Sequence, residues 1–324
     1  MDSATGSASI GPELGMRRLP IPRLDRLAAQ KELPRLLAVR EPAILTGMME
    51  SWDARRWEFG SLRERIGQIS INALVDLPKS GIPYFWTGDF HRRMSFAEFI
   101  DRMESSPESQ SYLSQKDIRQ FPGLERDFDF GALAPQASRA PTTSIWLGTE
   151  GTRSGLHFDR RDNFFAQIAG RKKVFLAAPS QARRLYPIND MFEKSSVDPE
   201  EPDYQAHPRL RDCVLMEGEV EAGEILFIPR LWWHHLRSTE ASISLNHWFG
   251  EEVSLWALLR VVTAGGIRHW LTLARDFFRF GLLGRPYETR LLSDMPSGVL
   301  MYGIVREGIR RRLFASSMKV PQRR

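Results

Sequence analysis

Hydrophobic and polar residues alternate in a series of short stretches in the second half of the chain, and turn-forming residues separate these stretches. Alternation with a period of two is typical of strands that bury one face. The pattern predicts eight strands, at residues 144–148, 155–159, 164–168, 172–177, 214–217, 224–228, 232–237 and 242–249. Eight short strands joined by turns favour a mainly β protein with a jelly roll built from two sheets.

The regions around this barrel follow different patterns. Residues 1–15 are small and polar and predict a disordered tail, and residues 16–140 predict an N-terminal α/β extension that packs on the barrel. The barrel itself is expected over residues 141–250. Within it, residues 179–212 are rich in Pro, Asp and Arg and predict a long loop between the fourth and fifth strands, and such loops often border a binding site. Residues 251–324 return to helical spacing and predict C-terminal helices.

Two helical stretches can be located more closely. Ser95 and Glu98 have the spacing of a capping box at the start of an amphipathic helix. In the C-terminal region, Gly265 and Gly266 separate two stretches whose apolar residues recur at helical spacing. Arginines interrupt these stretches, so they are too short and too charged for transmembrane helices, and no membrane association is expected.

The composition narrows the class of protein. The 324 residues are 42% hydrophobic and 26% charged, which is ordinary for a globular protein. The single cysteine, Cys213, excludes an intramolecular disulfide framework, and the first residues lack the basic start and apolar run of a signal peptide, so a cytoplasmic location is expected. The net charge of +5 permits acidic or nucleic-acid partners without requiring them.

One group of residues has the pattern of a metal site. His157 and Asp159 lie two residues apart on a predicted strand, so their side chains leave the same face. A second imidazole from His234 would complete two histidines and one carboxylate, the facial triad of non-haem Fe(II) oxygenases. Its neighbour His235 has the opposite strand parity and would point away. The His-x-Asp pair alone is more often a hydrogen-bonded pair than a metal site, so the surrounding motifs carry the argument.

Those motifs are H-x-D from His157, N-F-F-A-Q-I-x-G-x-K from Asn163 to Lys172, and I-P-x-x-W-W-H-H from Ile228 to His235. Together they resemble the JmjC/cupin-like 2-oxoglutarate oxygenases, and within that family the asparaginyl hydroxylases. The resemblance covers residues 112–250. It implies that the jelly roll is a cupin-type double-stranded β-helix and that His157, Asp159 and His234 bind Fe(II).

The resemblance also implies a site for 2-oxoglutarate. Lys172 matches the family's anchor for the distal carboxylate, and its strand parity places it inside the barrel, where an unpaired charge is costly. Tyr112 and Ser154 match hydroxyl positions that bind the same carboxylate, although the family more often has threonine at the position of Ser154. Asn163 and Asn246 are expected to orient the ligands or the cosubstrate, or else to be buried and hydrogen-bonded within the fold.

The residues after the aspartate ligand suggest what the substrate is. Arg160 and Arg161 stand where the resembled hydroxylases have acidic and amide side chains, and Trp248 faces inward by strand parity, so these three are candidates for substrate contact. Guanidinium groups bind carboxylates and phosphates through paired donors, which predicts an acidic peptide or an RNA backbone as substrate. The alternative is that the arginines pair within the protein, with Asp162 or Glu150.

The implied function is an Fe(II)- and 2-oxoglutarate-dependent dioxygenase that uses O2 to hydroxylate a C–H bond and releases succinate and CO2. A protein or peptide side chain is the expected substrate, and the family's C-terminal helices suggest a homodimer. Two alternatives remain: a tRNA-base or small-molecule hydroxylase, and a catalytically silent cupin-like binding module, against which the intact triad and Lys172 argue. A histone-type demethylase is disfavoured because a single cysteine cannot form an accompanying zinc site.

Overall fold

The structure, a computed structural model, describes residues 15–77, 90–106, 109–135, 139–287 and 296–317, with side chains up to residue 310. The predicted disordered tail lies outside the described residues except for Gly15, and so do residues 318–324.

The described part of the chain contains helices and strands in the following order. The strands are β1 (Arg17–Pro20), β2 (Arg23–Leu24), β3 (Ala43–Leu45), β4 (Ser70–Leu77), β5 (His91–Ser95), β6 (Gln110–Asp117), β7 (Thr142–Gly148), β8 (Arg153–Phe158), β9 (Asp162–Ala169), β10 (Lys172–Ala177), β11 (Pro187–Ile188), β12 (Met191–Ser195), β13 (Val214–Val220), β14 (Glu224–Ile228), β15 (Trp233–Ser238) and β16 (Ser242–Phe249). The helices are α1 (Arg26–Val39), α2 (Phe59–Ile66), α3 (Phe96–Ser105), α4 (Leu255–Gly265), α5 (Ile267–Asp276) and α6 (Ser297–Ser317).

The barrel is a jelly roll of two facing sheets. Its eight strands are the eight that the sequence pattern predicts, and four lie in each sheet, in the orders β13-β10-β15-β8 and β14-β9-β16-β7. The remaining strands extend these sheets at their edges, so that within the described residues one sheet has seven strands and the other nine. The predicted mainly β fold, a double-stranded β-helix of cupin type, is confirmed.

Strand alternation separates the interior of the barrel from its outer surfaces. On β9, Phe164 and Ala166 face outward, into a core shared with the N-terminal helices α1 to α3. Phe165 faces the other way, into a second core between the two sheets. On β10, Val174 joins Phe165 in the interior, whereas Phe175 packs outward in a third core that includes the C-terminal helices. Strands β9 and β10 therefore bury both faces, and their inward-pointing residues lie in the barrel interior.

Two helix boundaries lie where the sequence indicates. The Ser95 side chain accepts a hydrogen bond from the Glu98 backbone N–H at 3.1 Å, so the predicted start of α3 is confirmed. Gly266, at φ 90°, separates α4 from α5. No helix in the described ranges is long and apolar enough to cross a membrane.

The long loop predicted over residues 179–212 contains secondary structure that the sequence analysis did not predict. This insert contains the hairpin β11–β12 and two 3-10 helices, Pro179–Arg184 and Pro208–Asp212. Strand β12 pairs with β8, and Lys194 lies opposite His157. Strand β11 has only two residues, and in β12 two apolar residues are followed by polar ones rather than alternating with them, so the sequence pattern does not reveal either strand. The insert consequently borders one of the ligand strands directly.

Candidate active site

The two candidate histidine ligands lie opposite each other on neighbouring antiparallel strands. His157 on β8 pairs in register with His234 on β15, and their ring centres are 4.1 Å apart. Asp159 lies one residue past the end of β8, and its Oδ2 is 3.7 Å from the His234 Nε2. One ligand atom from each residue can be chosen so that all lie within 4.8 Å of one another. Among the described residues, these three form the one set of His, Cys, Asp or Glu side chains whose ligand atoms lie close enough together to hold a metal ion.

Backbone hydrogen bonds fix the orientation of both imidazole rings. His157 Nδ1 is 2.8 Å from the Gly155 carbonyl oxygen, and His234 Nδ1 is 3.0 Å from the Trp232 carbonyl oxygen. A carbonyl can only accept, so each Nδ1 donates and each Nε2 keeps its lone pair. Burial, and next the neighbouring His234, lower the pKa of His157 well below its usual range. The imidazole is therefore neutral at neutral pH, which is the form that binds a metal.

The carboxylate of Asp159 is held by a tryptophan. The Trp248 indole Nε1 donates a hydrogen bond to Asp159 Oδ2 at 2.7 Å. The Leu231 backbone N–H donates to the Asp159 carbonyl at 2.9 Å, from a residue with φ of 68°. Trp248, a candidate for substrate contact on sequence grounds, thus contacts a candidate metal ligand.

His235 lies on the other face of β15, as its strand parity predicts. It is buried, and its Nε2 donates a hydrogen bond to Glu200 Oε1 at 3.2 Å. His247 also faces away from the triad, because its ring stacks on Phe130 with a centroid distance of 4.4 Å. Only one histidine of the His234–His235 pair can therefore reach a metal.

Lys172 is buried inside the barrel without an opposite charge. Its Nζ lies 5.6 Å from the centre of the Phe165 ring and 5.7 Å from that of Tyr112. No described residue forms a hydrogen bond or ion pair with this ammonium group. Burial lowers the pKa of Lys172 from 10.5 to about 7. A cation held in this way is suited to an anionic ligand that enters the barrel.

The other predicted cosubstrate residues surround the same space. Tyr112 is buried on β6, and burial raises the pKa of its hydroxyl, which keeps the group protonated and able to donate. Ser154 accepts a hydrogen bond from the Leu236 N–H at 3.2 Å, which leaves its own O–H available. Asn163 is fully buried, and neither polar atom of its amide has a partner among the described residues. Asn246 is also buried, and it pairs in register with Phe165.

Three further residues have unpaired polar atoms in the barrel, and the sequence analysis missed them. Ser244 on β16 pairs in register with Gln167 on β9 and with Trp146 on β7. The Ser244 hydroxyl, the Gln167 Oε1 and the Trp146 Nε1 are all buried without a hydrogen-bond partner in the described structure. Gln167 shares strand parity with Asn163, and Ser244 shares it with Asn246, so parity could have identified both. Buried unpaired polar groups are rare in native proteins, and such a set is typical of a ligand site.

The two arginines after Asp159 have partners within the protein. Arg160 forms ion pairs with Glu193 at 3.3 Å and with Glu252 at 3.4 Å. Arg161 is buried and donates hydrogen bonds to the Gly250 and Ala140 carbonyls, both at 3.1 Å. Both arginines therefore pair within the protein, as the alternative interpretation of the sequence predicts. Their partners are not the Asp162 and Glu150 that the sequence suggested.

The donor groups match both ligands that the sequence analysis implies. Two imidazoles and a carboxylate form the donor set of a facial triad, which is suited to Fe(II). A buried unpaired lysine with hydroxyl and amide groups around it suits a dicarboxylate.

Comparison with known proteins agrees with this geometry. The signature of the cupin-like domain matches residues 29–254, well over half of the chain. The chain belongs to the cupin-like family. Among curated relatives of this cupin-like chain, lysine-specific demethylase 8 of Xenopus tropicalis is 29% identical over 237 residues, or 71% of this chain and 52% of the relative. JmjC domain-containing protein D of Dictyostelium discoideum is 29% identical over 255 residues, or 69% and 55%.

The chain is also similar to a protein whose name refers to tRNA. The tRNA wybutosine-synthesizing protein 5 of Mus musculus is 25% identical over 251 residues, which is 71% of the cupin-like chain and 78% of that protein. The resemblance to JmjC/cupin-like oxygenases predicted from the sequence is confirmed. The chain spans little more than half the length of the demethylase and of protein D.

Proposed function

We propose that this cupin-like protein is an Fe(II)- and 2-oxoglutarate-dependent oxygenase that hydroxylates a C–H bond. The observation that carries the proposal is the triad, in which both imidazoles are fixed with Nε2 free and the ligand atoms lie within 4.8 Å. Bound there, Fe(II) with 2-oxoglutarate and O2 would supply oxidative decarboxylation to succinate and CO2, coupled to hydroxylation of the substrate.

The protein's own residues divide into two groups. His157, Asp159 and His234 would hold the metal, and Trp248 keeps the Asp159 carboxylate in place through its 2.7 Å hydrogen bond. Lys172 would bind the distal carboxylate of 2-oxoglutarate at the far side of the barrel interior.

The neighbouring hydroxyl and amide groups would support the cosubstrate. Tyr112 and the free O–H of Ser154 would add hydrogen bonds to the same carboxylate, and Asn163 and Asn246 would orient the groups nearer the metal.

A peptide or protein side chain is the substrate class that we favour. An acidic substrate has less support than the sequence suggested, because it would have to displace Glu193 and Glu252 from Arg160. A groove of about 690 Å³ is lined in part by Leu231, whose backbone N–H binds the Asp159 carbonyl, and by Glu252, which pairs with Arg160. Its lining mixes apolar, basic and acidic side chains, which suits an extended peptide better than a phosphate backbone.

A tRNA base is the second candidate substrate, favoured by the similarity to tRNA wybutosine-synthesizing protein 5 over most of that protein's length. The purified protein incubated with a peptide library in one arm and a tRNA pool in the other should add oxygen to peptides. Oxygen added to tRNA alone would favour the second candidate.

The reaction itself is tested without knowing the substrate. We expect the protein to convert 2-oxoglutarate to succinate slowly when Fe(II) and O2 are present, and His234→Ala to abolish this turnover because one metal ligand is lost. His207→Gln is the matched control, since that histidine contacts Ser196 at 3.1 Å, outside the triad. Equal succinate formation by wild-type protein and His234→Ala would contradict the proposal.

We also propose that the protein is a homodimer through its C-terminal helices. Ile267, Leu271 and Phe278 are exposed along one side of α5 and the π-helix that follows it, Phe277–Leu282, opposite the buried Leu273. An exposed apolar stripe of this kind is typical of an interface. Leu271→Glu should convert the dimer to a monomer in sedimentation analysis, whereas Leu27→Glu on the exposed side of α1 should not. A monomeric wild-type protein would contradict this proposal.

A further inference from the structure

A short segment of the insert lies across the outer face of both ligand strands. We call residues 198–200 the clamp segment. It carries two carboxylates, Asp198 and Glu200, and each binds a different strand of the pair that holds the histidine ligands. The proposed function does not use this segment, because its side chains lie on the side of the sheet that faces away from the metal.

Glu200 binds two residues of β15 that follow the candidate ligand His234. Its Oε1 accepts hydrogen bonds from His235 Nε2 at 3.2 Å and from Arg237 Nε at 2.8 Å. Burial by itself would raise the pKa of Glu200, but the hydrogen bonds from His235 and Arg237 outweigh this effect and lower the pKa to about 2. The group is therefore an ionised, half-buried carboxylate with two donors from one strand.

Asp198 binds the neighbouring strand β8. Its Oδ2 accepts a hydrogen bond at 2.9 Å from Nη1 of Arg153, which lies four residues before His157. Its Oδ1 accepts from the Glu200 backbone N–H at 2.9 Å, which joins the two carboxylates into one unit. Arg18, on the N-terminal strand β1, donates to the Pro199 carbonyl at 3.3 Å. The clamp segment is thus tied to three strands of the same sheet.

The pairing of β8 with β15 is irregular at the point that the clamp segment spans. His234 pairs with His157, but the next pairs join Leu236 to Ser154, so the register shifts opposite His235. The carbonyl that orients the His157 ring belongs to Gly155, within this irregularity. Bulges next to active sites re-aim side chains, and they persist only where surrounding contacts hold them.

From this arrangement we infer that Glu200 and Asp198 are positioning residues for the metal centre, which hold the irregular pairing of β8 and β15 and so set the spacing of His157 and His234. The inference rests on the proposed metal site. It extends that site to residues that are between 34 and 43 positions from the two histidines in the sequence and bind neither. Groups that orient metal ligands from outside typically contribute roughly ten- to hundred-fold in metal affinity.

The test measures metal affinity rather than turnover. Co(II) is titrated into the full-length protein, and the visible absorption of the bound ion gives both the dissociation constant and the coordination geometry. Glu200→Gln and Asp198→Asn should each weaken Co(II) binding by roughly ten-fold or more and change the spectrum. Asp127→Asn is the matched control, because Asp127 also accepts hydrogen bonds from two side chains, Arg65 and Trp57, but lies away from β8, β15 and the clamp segment.

The outcomes separate positioning from simple stabilisation. If both clamp variants lower the melting temperature but bind Co(II) with the affinity and spectrum of the wild type, the inference is wrong. If Glu200→Gln does not fold, Glu200→Asp, which keeps the charge, and Asp198→Asn decide the question through the same titration. Wild-type protein that binds no Co(II) would overturn the metal site as well, whereas wild-type binding with unaffected variants would overturn the clamp alone.

Discussion

Replacement of Lys172 by methionine should make the ligand-free protein more stable and at the same time weaken 2-oxoglutarate binding. Burial lowers the pKa of Lys172 from 10.5 to about 7. The unfolded chain therefore binds more protons than the folded one between pH 7 and 10.5, so the lysine opposes folding most strongly below pH 7. At pH 7 this difference costs about 4 kcal/mol. Methionine fills a similar volume without the charge, and we expect a gain of about 1–4 kcal/mol in the free energy of unfolding.

The loss on the binding side follows from the contact that the lysine would make. A hydrogen bond from a charged group is worth about 1.5–3 kcal/mol, so Lys172→Met should weaken 2-oxoglutarate roughly ten- to hundred-fold. At a concentration 100 times the wild-type dissociation constant, the cosubstrate stabilises the wild type by about 2.7 kcal/mol. The same concentration should stabilise the variant by only about 0.4–1.4 kcal/mol.

Urea unfolding with and without 2-oxoglutarate, in the presence of metal, measures both effects. Lys173→Met is the matched control, because Lys173 faces outward and pairs with Glu217 at 2.9 Å. Loss of a partly exposed ion pair costs about 0–1 kcal/mol, and cosubstrate binding should not change. A less stable Lys172→Met protein that binds 2-oxoglutarate as well as the wild type would refute the role assigned to this lysine.

Three further predictions concern the metal ligand, the pH dependence and the fold. Trp248→Phe removes the donor to Asp159, so Co(II) affinity should fall roughly ten- to hundred-fold, and an unchanged titration would show that the indole does not hold the carboxylate. Because the pKa of Lys172 is about 7, binding of 2-oxoglutarate above pH 7 should take up a proton at this lysine, and the affinity should fall from pH 7 to 9. Calorimetry in buffers of different ionisation enthalpy detects the proton, and binding without proton uptake would contradict the assignment. Gly170 has φ of 71°, and an added Cβ would lie 2.2 Å from the Ala241 carbonyl oxygen, so Gly170→Ala should lower the free energy of unfolding by at least about 1–3 kcal/mol, and a wild-type urea midpoint would contradict this.

The strands could be predicted because they depend on local periodicity, whereas the assignment of His157, Asp159 and His234 as a triad rested on the motifs that resemble the oxygenase family. Alternation with a period of two identifies strands and also sorts their residues between the two faces. His157 and Lys172 could therefore be assigned to the interior, and His235 to the outside, from the sequence alone. The capping serine of α3 was predictable for the same reason, since the hydrogen bond spans only three residues.

The contacts around the site could not be predicted, because they join residues that are distant in the sequence. Arg160 follows a ligand directly, yet its partners Glu193 and Glu252 come from the insert and from the segment after the barrel. Glu200 lies in an insert without any readable period, and only the pairing of β12 with β8 brings that insert to the ligand strands. Ion pairs of this kind depend on how the chain returns to the same sheet edge, which periodicity does not encode.

Anaerobic calorimetry with Fe(II) tests the central claim most directly. The account predicts that the wild type binds a single Fe(II) per chain, that His157→Ala and Asp159→Ala bind none at the same concentrations, and that His207→Gln binds as the wild type does. Stoichiometric Fe(II) binding that survives in both His157→Ala and Asp159→Ala, with each variant folded, would contradict the assignment of the metal centre.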